Sequence, residues 1–133
     1  MILDEKNLNK SEIDKLLEST KKYVEVFYVE LNAKQASFGD WKCLINKNKT
    51  WLGLPSNQST QVFQEKKFDL VINVSHEYKL FSANLISGIN ATFRCGNTNV
   101  FGELDLIVER KEGQNLNVYL KEVFRYLEMI KTN

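Results

Sequence analysis

The stretch Trp41-Lys-Cys-Leu-Ile-Asn-Lys-Asn-Lys-Thr-Trp51-Leu-Gly-Leu-Pro55 carries the main indication of a fold in this sequence. Two apolar runs flank the polar, lysine-rich segment Asn46–Lys49, and a tryptophan stands at the start of each arm. This pattern is typical of two antiparallel strands joined by a turn. Proline cannot donate to a β-ladder, so the second arm ends before Pro55. We therefore predict strands from about Phe38 to Asn46 and from Thr50 to Leu54.

Further strand-like segments lie on either side of this predicted hairpin. They are rich in β-branched and aromatic residues or alternate between apolar and polar residues, as strands do. These segments are Tyr23–Leu31, Lys67–Val74, Ile89–Cys95 and Val100–Glu109. The segment Gly96–Asn99 predicts a second hairpin, because glycine and asparagine tolerate the positive φ angles of tight turns. The polar run Ser56–Gln61 predicts an exposed loop.

Helical spacing of apolar residues occurs near both ends of the chain. Ser11 and Asp14 form a capping-box pattern, and the apolar spacing that follows predicts a short helix to about Thr20. The segment Leu116–Ile130 carries a continuous apolar stripe and predicts a long amphipathic helix. The segment Ser75–Ser87 favours a short helix, with a strand as the alternative. Residues 1–9 are interpreted as a flexible arm of a single domain, 1–133.

The order of these elements indicates the fold class. A helix is followed by strands, a short helix, two more strands and a long helix. This order predicts an α+β protein, either an antiparallel β-sheet or a small OB-like barrel. The N-terminal short helix and the C-terminal long amphipathic helix flank that sheet.

Composition places the chain among folded, soluble proteins. Of 133 residues, 43% are hydrophobic and 26% are charged, which is close to the average for globular domains. Neither a signal-peptide pattern nor a run of 18 apolar residues occurs, so we expect a cytoplasmic protein without membrane contact. Cys43 and Cys95 lack metal-binding spacing, and we expect buried thiols, with a disulfide as the alternative. No cofactor or metal is expected.

Charge is unevenly distributed along the chain. The segment Leu31–Gly102 holds eight basic and four acidic residues, a local charge of +4, whereas the whole chain carries +1. Single-stranded nucleic acids bind surfaces that combine cations for phosphates with aromatic rings for bases. We therefore predict a non-enzymatic binding protein that contacts single-stranded nucleic acid through a basic, aromatic sheet face. The candidate site residues are Trp41, Lys42, Lys47, Lys49, Trp51 and Arg94.

A protein-binding module is the alternative hypothesis. Its partner, as for an immunity protein, inhibitor or adaptor, would contact the sheet face or the terminal helix with Val123, Phe124 and Leu127. The sequence leaves self-association into a homo-oligomer open. In the interpretation without a binding site, both tryptophans are core residues and the lysines only keep a turn soluble.

One motif suggests an enzyme. Gly102-Glu-Leu-Asp-Leu-Ile107 resembles the strand of PD-(D/E)xK-like nucleases in which an aspartate binds a divalent metal. The resemblance implies a metal ligand at Asp105. In place of the Glu-x-Lys that follows in this family stands Val118-Tyr-Leu-Lys121, which lacks the acid. Hard cations need several oxygen ligands, so a metal-dependent nuclease is only the third hypothesis.

Overall fold

A computed structural model describes residues 1–6, 8–34 and 39–131, without the side chains of residues 58, 59, 62, 64 and 131. A 3-10 turn, Asn46–Asn48, follows the third strand. The other elements in chain order are β1 Ile2–Leu3, α1 Lys10–Ser19, β2 Phe27–Val29, β3 Lys42–Leu44, α2 Asn57–Gln64, β4 Lys67–Val74, α3 Lys79–Ser87, β5 Asn90–Gly96, β6 Leu106–Ile107 and α4 Leu116–Lys131.

The strands form one six-stranded sheet in the order β3-β2-β1-β4-β5-β6, and every neighbouring pair is parallel. The fold is therefore α/β, and the predicted antiparallel sheet and OB-like barrel are wrong. The longest pairing joins β4 to β5, from Lys67↔Asn90 to Asn73↔Gly96. Helix α3 lies between these two strands in the chain and returns it to the edge where β4 began, as parallel pairing requires.

Helices cover both faces of the sheet. On one face α1 and α4 contribute Ile13, Leu17, Leu116, Tyr119, Leu120 and Val123 to a core with Leu3, Tyr28, Ile72 and Val74. On the other face α2 and α3 contribute Phe63, Phe81, Leu85 and Ile86 to a core with Ile2, Phe27, Val29 and Val71. Successive strand residues point to opposite faces, so strands between two helical layers are apolar on both sides. An open sheet face of the kind predicted does not exist among the described residues.

Neither predicted hairpin is present. In the first, β3 is the only strand among the residues that the structure describes, and residues 49–55 form a tight loop closed by an isolated bridge between Lys49 and Pro55. In the second, Cys95 pairs with Leu106 in parallel, so residues 97–105 are a crossing connection and not a turn. The start of the strand predicted from about Phe38 lies outside the described residues.

The predicted helices agree with the structure more closely than the predicted hairpins do. The short helix favoured within Ser75–Ser87 is confirmed as α3, and the long terminal helix is confirmed as α4. Helix α1 begins two residues earlier than predicted, because Asn9 and not Ser11 caps it. The predicted loop 56–61 mostly belongs to α2.

The first residues hold a central place in the sheet. Ile2 and Leu3, which we interpreted as part of a flexible arm, form β1 between β2 and β4 and are 1% and 0% exposed. Within the described residues, the structure contains no helix with the length and apolar character needed to cross a membrane.

Candidate ligand site at the carboxyl edge of the sheet

The strand order reverses direction between β1 and β4. β2 and β3 follow on one side of β1, whereas β4, β5 and β6 lie on the other. Open parallel sheets bind ligands at such a switch point, in the crevice outside the carboxyl ends of the strands. A cleft of about 610 Å³ lies at this place, and its walls come from the segments that follow β1, β4, β5 and β6.

Asp4 occupies the main-chain N–H groups of the β4–α3 connection. Its carboxylate accepts hydrogen bonds from the N–H groups of His76, Glu77 and Tyr78, at 2.6, 2.9 and 2.7 Å. Burial raises the pKa of Asp4, and these three donors oppose the rise. The start of a helix carries partial positive charge and favours an anion. The protein thus supplies its own anion to α3, and a ligand phosphate cannot use the same N–H groups.

The segment after β1 differs from a dinucleotide-binding turn. Such turns are glycine-rich so that the main chain can approach a pyrophosphate. Here the segment is Asp4-Glu-Lys-Asn-Leu-Asn9, without a glycine. The segment therefore does not match a glycine-rich dinucleotide-binding turn, and Asp4 fills the N–H groups of the neighbouring β4–α3 connection.

Buried polar groups join the ends of β4 and β5. The main-chain oxygen of Asn73 accepts a hydrogen bond from the Asn97 N–H at 3.2 Å, and the Asn73 side chain accepts one from the Ser75 hydroxyl. Asn97 Nδ2 donates to the Ser75 main-chain oxygen at 3.0 Å, which fixes the orientation of this amide. Gly96 permits the close approach, because a Cβ there would collide with the Asn73 main-chain oxygen.

Two of these wall residues have a hydrogen-bond acceptor without a partner among the described residues. Asn97 Oδ1 is buried in this way, and so is Asn117 Oδ1. The Nδ2 of Asn117 donates to Glu12 Oε2 at 2.9 Å, so the orientation of this amide is also fixed. An unsatisfied buried acceptor costs about 1–3 kcal/mol. Both acceptors would gain from a ligand that brings N–H or O–H donors.

Arg110 joins two walls of the cleft. Its guanidinium contacts Glu5 Oε1 at 2.6 Å, and it donates to the Gln114 main-chain oxygen at 2.8 and 3.1 Å. Lys79 and Lys111 also line the cleft, and within the described chain neither forms an ion pair. These two lysines are therefore the cations available to an acidic group of a ligand.

The first two predicted site residues lie away from this cleft. Trp41 is a core residue, 6% exposed, and its Nε1 donates to Asp14 Oδ1 at 2.9 Å. Lys42 Nζ lies 3.6 Å from Glu25 Oε1 and 5.5 Å from the centre of the Phe27 ring. Trp41 is thus buried against α1, as in the alternative interpretation that treats the tryptophans as core residues.

The other predicted residues divide between two places. Lys47, Lys49 and Trp51 follow β3 in one segment, and Trp51 is 92% exposed. Arg94 lies in β5, where its guanidinium donates to the Ile89 main-chain oxygen at 2.5 Å. Three strands separate β3 from β5, which places them about 19 Å apart at the usual strand spacing. The structure therefore brings together three of the six predicted residues.

The acids of the nuclease-like motif have structural partners. Asp105 Oδ2 accepts from the Arg94 N–H at 2.8 Å, and the Asp105 N–H donates to the Arg94 oxygen at 2.8 Å. The Glu103 carboxylate accepts from the N–H groups of Val100 and Phe101. Over the part of the chain that the structure describes, no group of three or more His, Cys, Asp or Glu residues could hold a metal ion.

Sequence reasoning missed Asp4, Asn97, Asn117, Lys79 and Lys111. An acid directly after an apolar dipeptide, and polar residues directly after strand runs, were the available signals. They become informative only when the strands are known to be parallel, because the carboxyl ends of parallel strands share one edge.

Comparison with known proteins gives a family but no activity. No curated protein and no solved structure matches the chain significantly. A family model, described as a family of unknown function, matches residues 1–130. The chain therefore belongs to the family of unknown function DUF6913.

Proposed function

We propose that this protein is a non-enzymatic binding protein that holds a small polar molecule in the carboxyl-edge cleft. The observation that carries the proposal is the cleft's place at the switch point of a parallel sheet, with walls from four strand connections. Most ligand sites are concave and present a few polar groups in fixed positions. The free thiols of Cys43 and Cys95 fit a cytoplasmic protein.

The polar groups of the cleft favour one class of ligand. Asn97 Oδ1 and Asn117 Oδ1 call for hydroxyl or amino donors, whereas Lys79 and Lys111 suit an acidic group. Because Asp4 already fills the N–H groups before α3, the acid is expected to meet lysine side chains. Hydroxy acids, amino acids and sugar acids combine these features.

The experiment is a titration of the protein with one member of each of these acid classes, with an uncharged sugar as the control. We expect saturable binding of an acid and none of the sugar. The double variant Lys79→Gln, Lys111→Gln should bind at least about tenfold more weakly, since charge-assisted bonds contribute about 1.5–3 kcal/mol each. The matched control Lys47→Gln, Lys49→Gln changes two lysines outside the cleft. Equal loss in both variants would contradict the proposal.

Single-stranded nucleic acid remains a second candidate, favoured by one observation. Trp51 is almost fully exposed and lies in the same segment as Lys47 and Lys49. Such a site would be a loop and not a sheet face. The same two double variants test it: oligo(dT) affinity should fall for Lys47→Gln, Lys49→Gln only, and it should weaken steeply with salt. Oligo(dT) binding that does not depend on salt, or that is unchanged in Lys47→Gln, Lys49→Gln, would leave this candidate without support.

A further inference from the structure

Helix α4 has a second face, which points away from the sheet. Its apolar stripe packs on the core, where Val123 is fully buried and Phe124 and Leu127 are partly buried. The opposite face carries residues spaced four, three and four positions apart, which is the spacing of the contact seam in a coiled coil. The residues of this outer seam are Val118, Glu122, Arg125 and Met129.

The outer seam has apolar ends and a charged centre. Val118 is 54% exposed and Met129 is 56% exposed, although both side chains are apolar. They lie eleven positions apart in the chain, which corresponds to about 16.5 Å along a helix axis. Between them stand half-buried Glu122 and exposed Arg125. The order along the seam is therefore apolar, acidic, basic, apolar.

The two central charges are held in place but are not neutralised within the chain. Glu122 Oε2 accepts a hydrogen bond from Gln114 Nε2 at 3.2 Å. The Arg125 guanidinium lies 5.4 Å from the centre of the Tyr126 ring. Within the described residues, neither Glu122 nor Arg125 forms an ion pair. Their ability to form one is thus left for a second chain.

The order of the outer seam is complementary to its own reverse. When two copies of α4 pack antiparallel and are centred on the middle of the seam, Glu122 faces Arg125 of the second copy. In the same register, Val118 faces Met129 of the second copy. Each of these contacts occurs twice, as a two-fold axis between identical subunits requires. One helix face therefore supplies both halves of a matching interface.

Charge also selects the direction of the two helices. A parallel pair in register would set Glu122 against Glu122 and Arg125 against Arg125, and like charges in direct opposition are unfavourable. On one flank of the seam, Lys121 and Glu128 stand seven positions apart. In the antiparallel pair each of them lies near the other residue of the second copy, where opposite charges favour pairing. The charge pattern is thus specific for the antiparallel arrangement.

We propose that the outer seam of α4 is a homodimer interface, in which two copies of the protein pack their α4 helices antiparallel across a two-fold axis. The apolar ends provide burial, and the central ion pairs fix register and direction. A single helix face buries less than the roughly 1,200 Å² of a standard interface, so we expect a weak dimer with a Kd on the order of 100 µM. The four seam residues do not line the carboxyl-edge cleft, so the dimer does not depend on a ligand there.

The test reverses charges at the centre of the outer seam and measures the mass of the protein by sedimentation velocity over a concentration series that brackets the expected Kd. Glu122→Arg sets bases against bases, and Arg125→Glu sets acids against acids. We expect the wild type to form dimers and each single variant to associate at least about tenfold more weakly. The double variant Glu122→Arg, Arg125→Glu restores opposite charges and should dimerise like the wild type. A wild type that stays monomeric, or single variants that still dimerise, overturns the proposal.

An equimolar mixture of the two single variants separates this interface from a general loss of structure. Each variant alone has like charges at the centre, but in the mixture the arginines of one protein face the glutamates of the other. We therefore expect a heterodimer, which misfolded variants could not form. The matched control Lys47→Glu makes the same change in net charge as Arg125→Glu at a site away from α4, and it should leave association unchanged. A mixture that stays monomeric, or an equal loss in the control, overturns the proposal.

Discussion

The two edges of the sheet differ in how their hydrogen-bonding groups are satisfied. At the carboxyl edge, Asp4 fills the three N–H groups that precede α3, and Asn73, Ser75 and Asn97 are joined to one another. At the amino edge, a cavity beside the first half of β4 is lined mainly by apolar side chains. The carboxyl edge is thus closed by polar contacts within the chain, whereas the amino edge presents mostly apolar groups.

The largest expected effect comes from a comparison of two aspartates, one at each edge of the sheet. Asp4→Ala should lower the free energy of unfolding by about 3 kcal/mol, because three main-chain N–H groups before α3 lose a buried side-chain acceptor. Asp69→Ala, at the amino edge, changes an exposed residue of β4 and should cost less than about 0.5 kcal/mol. Urea denaturation measures both. Similar values for the two variants would show that Asp4 does not hold the carboxyl edge together.

A second prediction concerns the contact between β4 and β5 at the carboxyl edge. Gly96→Ala should destabilise the protein by about 2 kcal/mol, because the added methyl group collides with the Asn73 main-chain oxygen. In Gly88→Ala, the new methyl group lies 3.7 Å from the Leu85 oxygen, an ordinary contact, and stability should change little. Thermal unfolding midpoints provide the measurement. A Gly96→Ala protein as stable as wild type would mean that β4 and β5 can separate there without cost.

A third prediction compares the two tryptophans, which precede and follow β3 in the chain. Trp41→Phe should cost about 1 kcal/mol, because Asp14 loses a hydrogen bond and the smaller ring leaves space in the core. Trp51→Phe should be neutral within about 0.5 kcal/mol. In acrylamide quenching, the Trp41→Phe protein, which retains Trp51, should be quenched more strongly than Trp51→Phe. The reverse order would contradict the burial of Trp41.

The smallest expected effect is chemical and leaves stability unchanged. Burial raises the pKa of Cys95 to about 12, so its thiol stays protonated at pH 8. The thiolate is the reactive form. Iodoacetamide at this pH should therefore modify half-buried Cys43 first in the native protein, and Cys95 only after denaturation. Mass spectrometry of the two cysteine peptides is the measurement, and early modification of Cys95 would show that β5 opens locally.

Much of the local structure could be predicted from sequence because its cause is local. The apolar spacing of Leu116–Ile130 predicted α4, and the failure of two-residue alternation after Ser75 indicated α3. The alternation in Lys67–Val74 predicted β4 with the bounds that the structure has. The two-residue strand β1 was missed, because two apolar residues carry no period and depend on β2 and β4 for their conformation.

The candidate site was beyond sequence reasoning for a related reason. Arg94 would lie near Lys42 and Lys47 in a hairpin-based sheet, but three strands separate β5 from β3 in the observed order. Asp4 and His76 are 72 positions apart in the chain and meet only because β1 lies beside β4. Whether a lysine or tryptophan belongs to a surface depends on which strands are neighbours, and composition does not contain that information.

The sequence by itself determined the positions of the longer helices and of β4 and β5, because side-chain periodicity acts over a few residues. Only the tertiary structure decided that all strands run parallel, that Trp41 is buried while Trp51 is exposed, and that Asp4 binds the N–H groups that precede α3. The physical reason is that strand direction is chosen by how two helical layers cover both faces of the sheet. That choice depends on contacts between residues far apart in the chain.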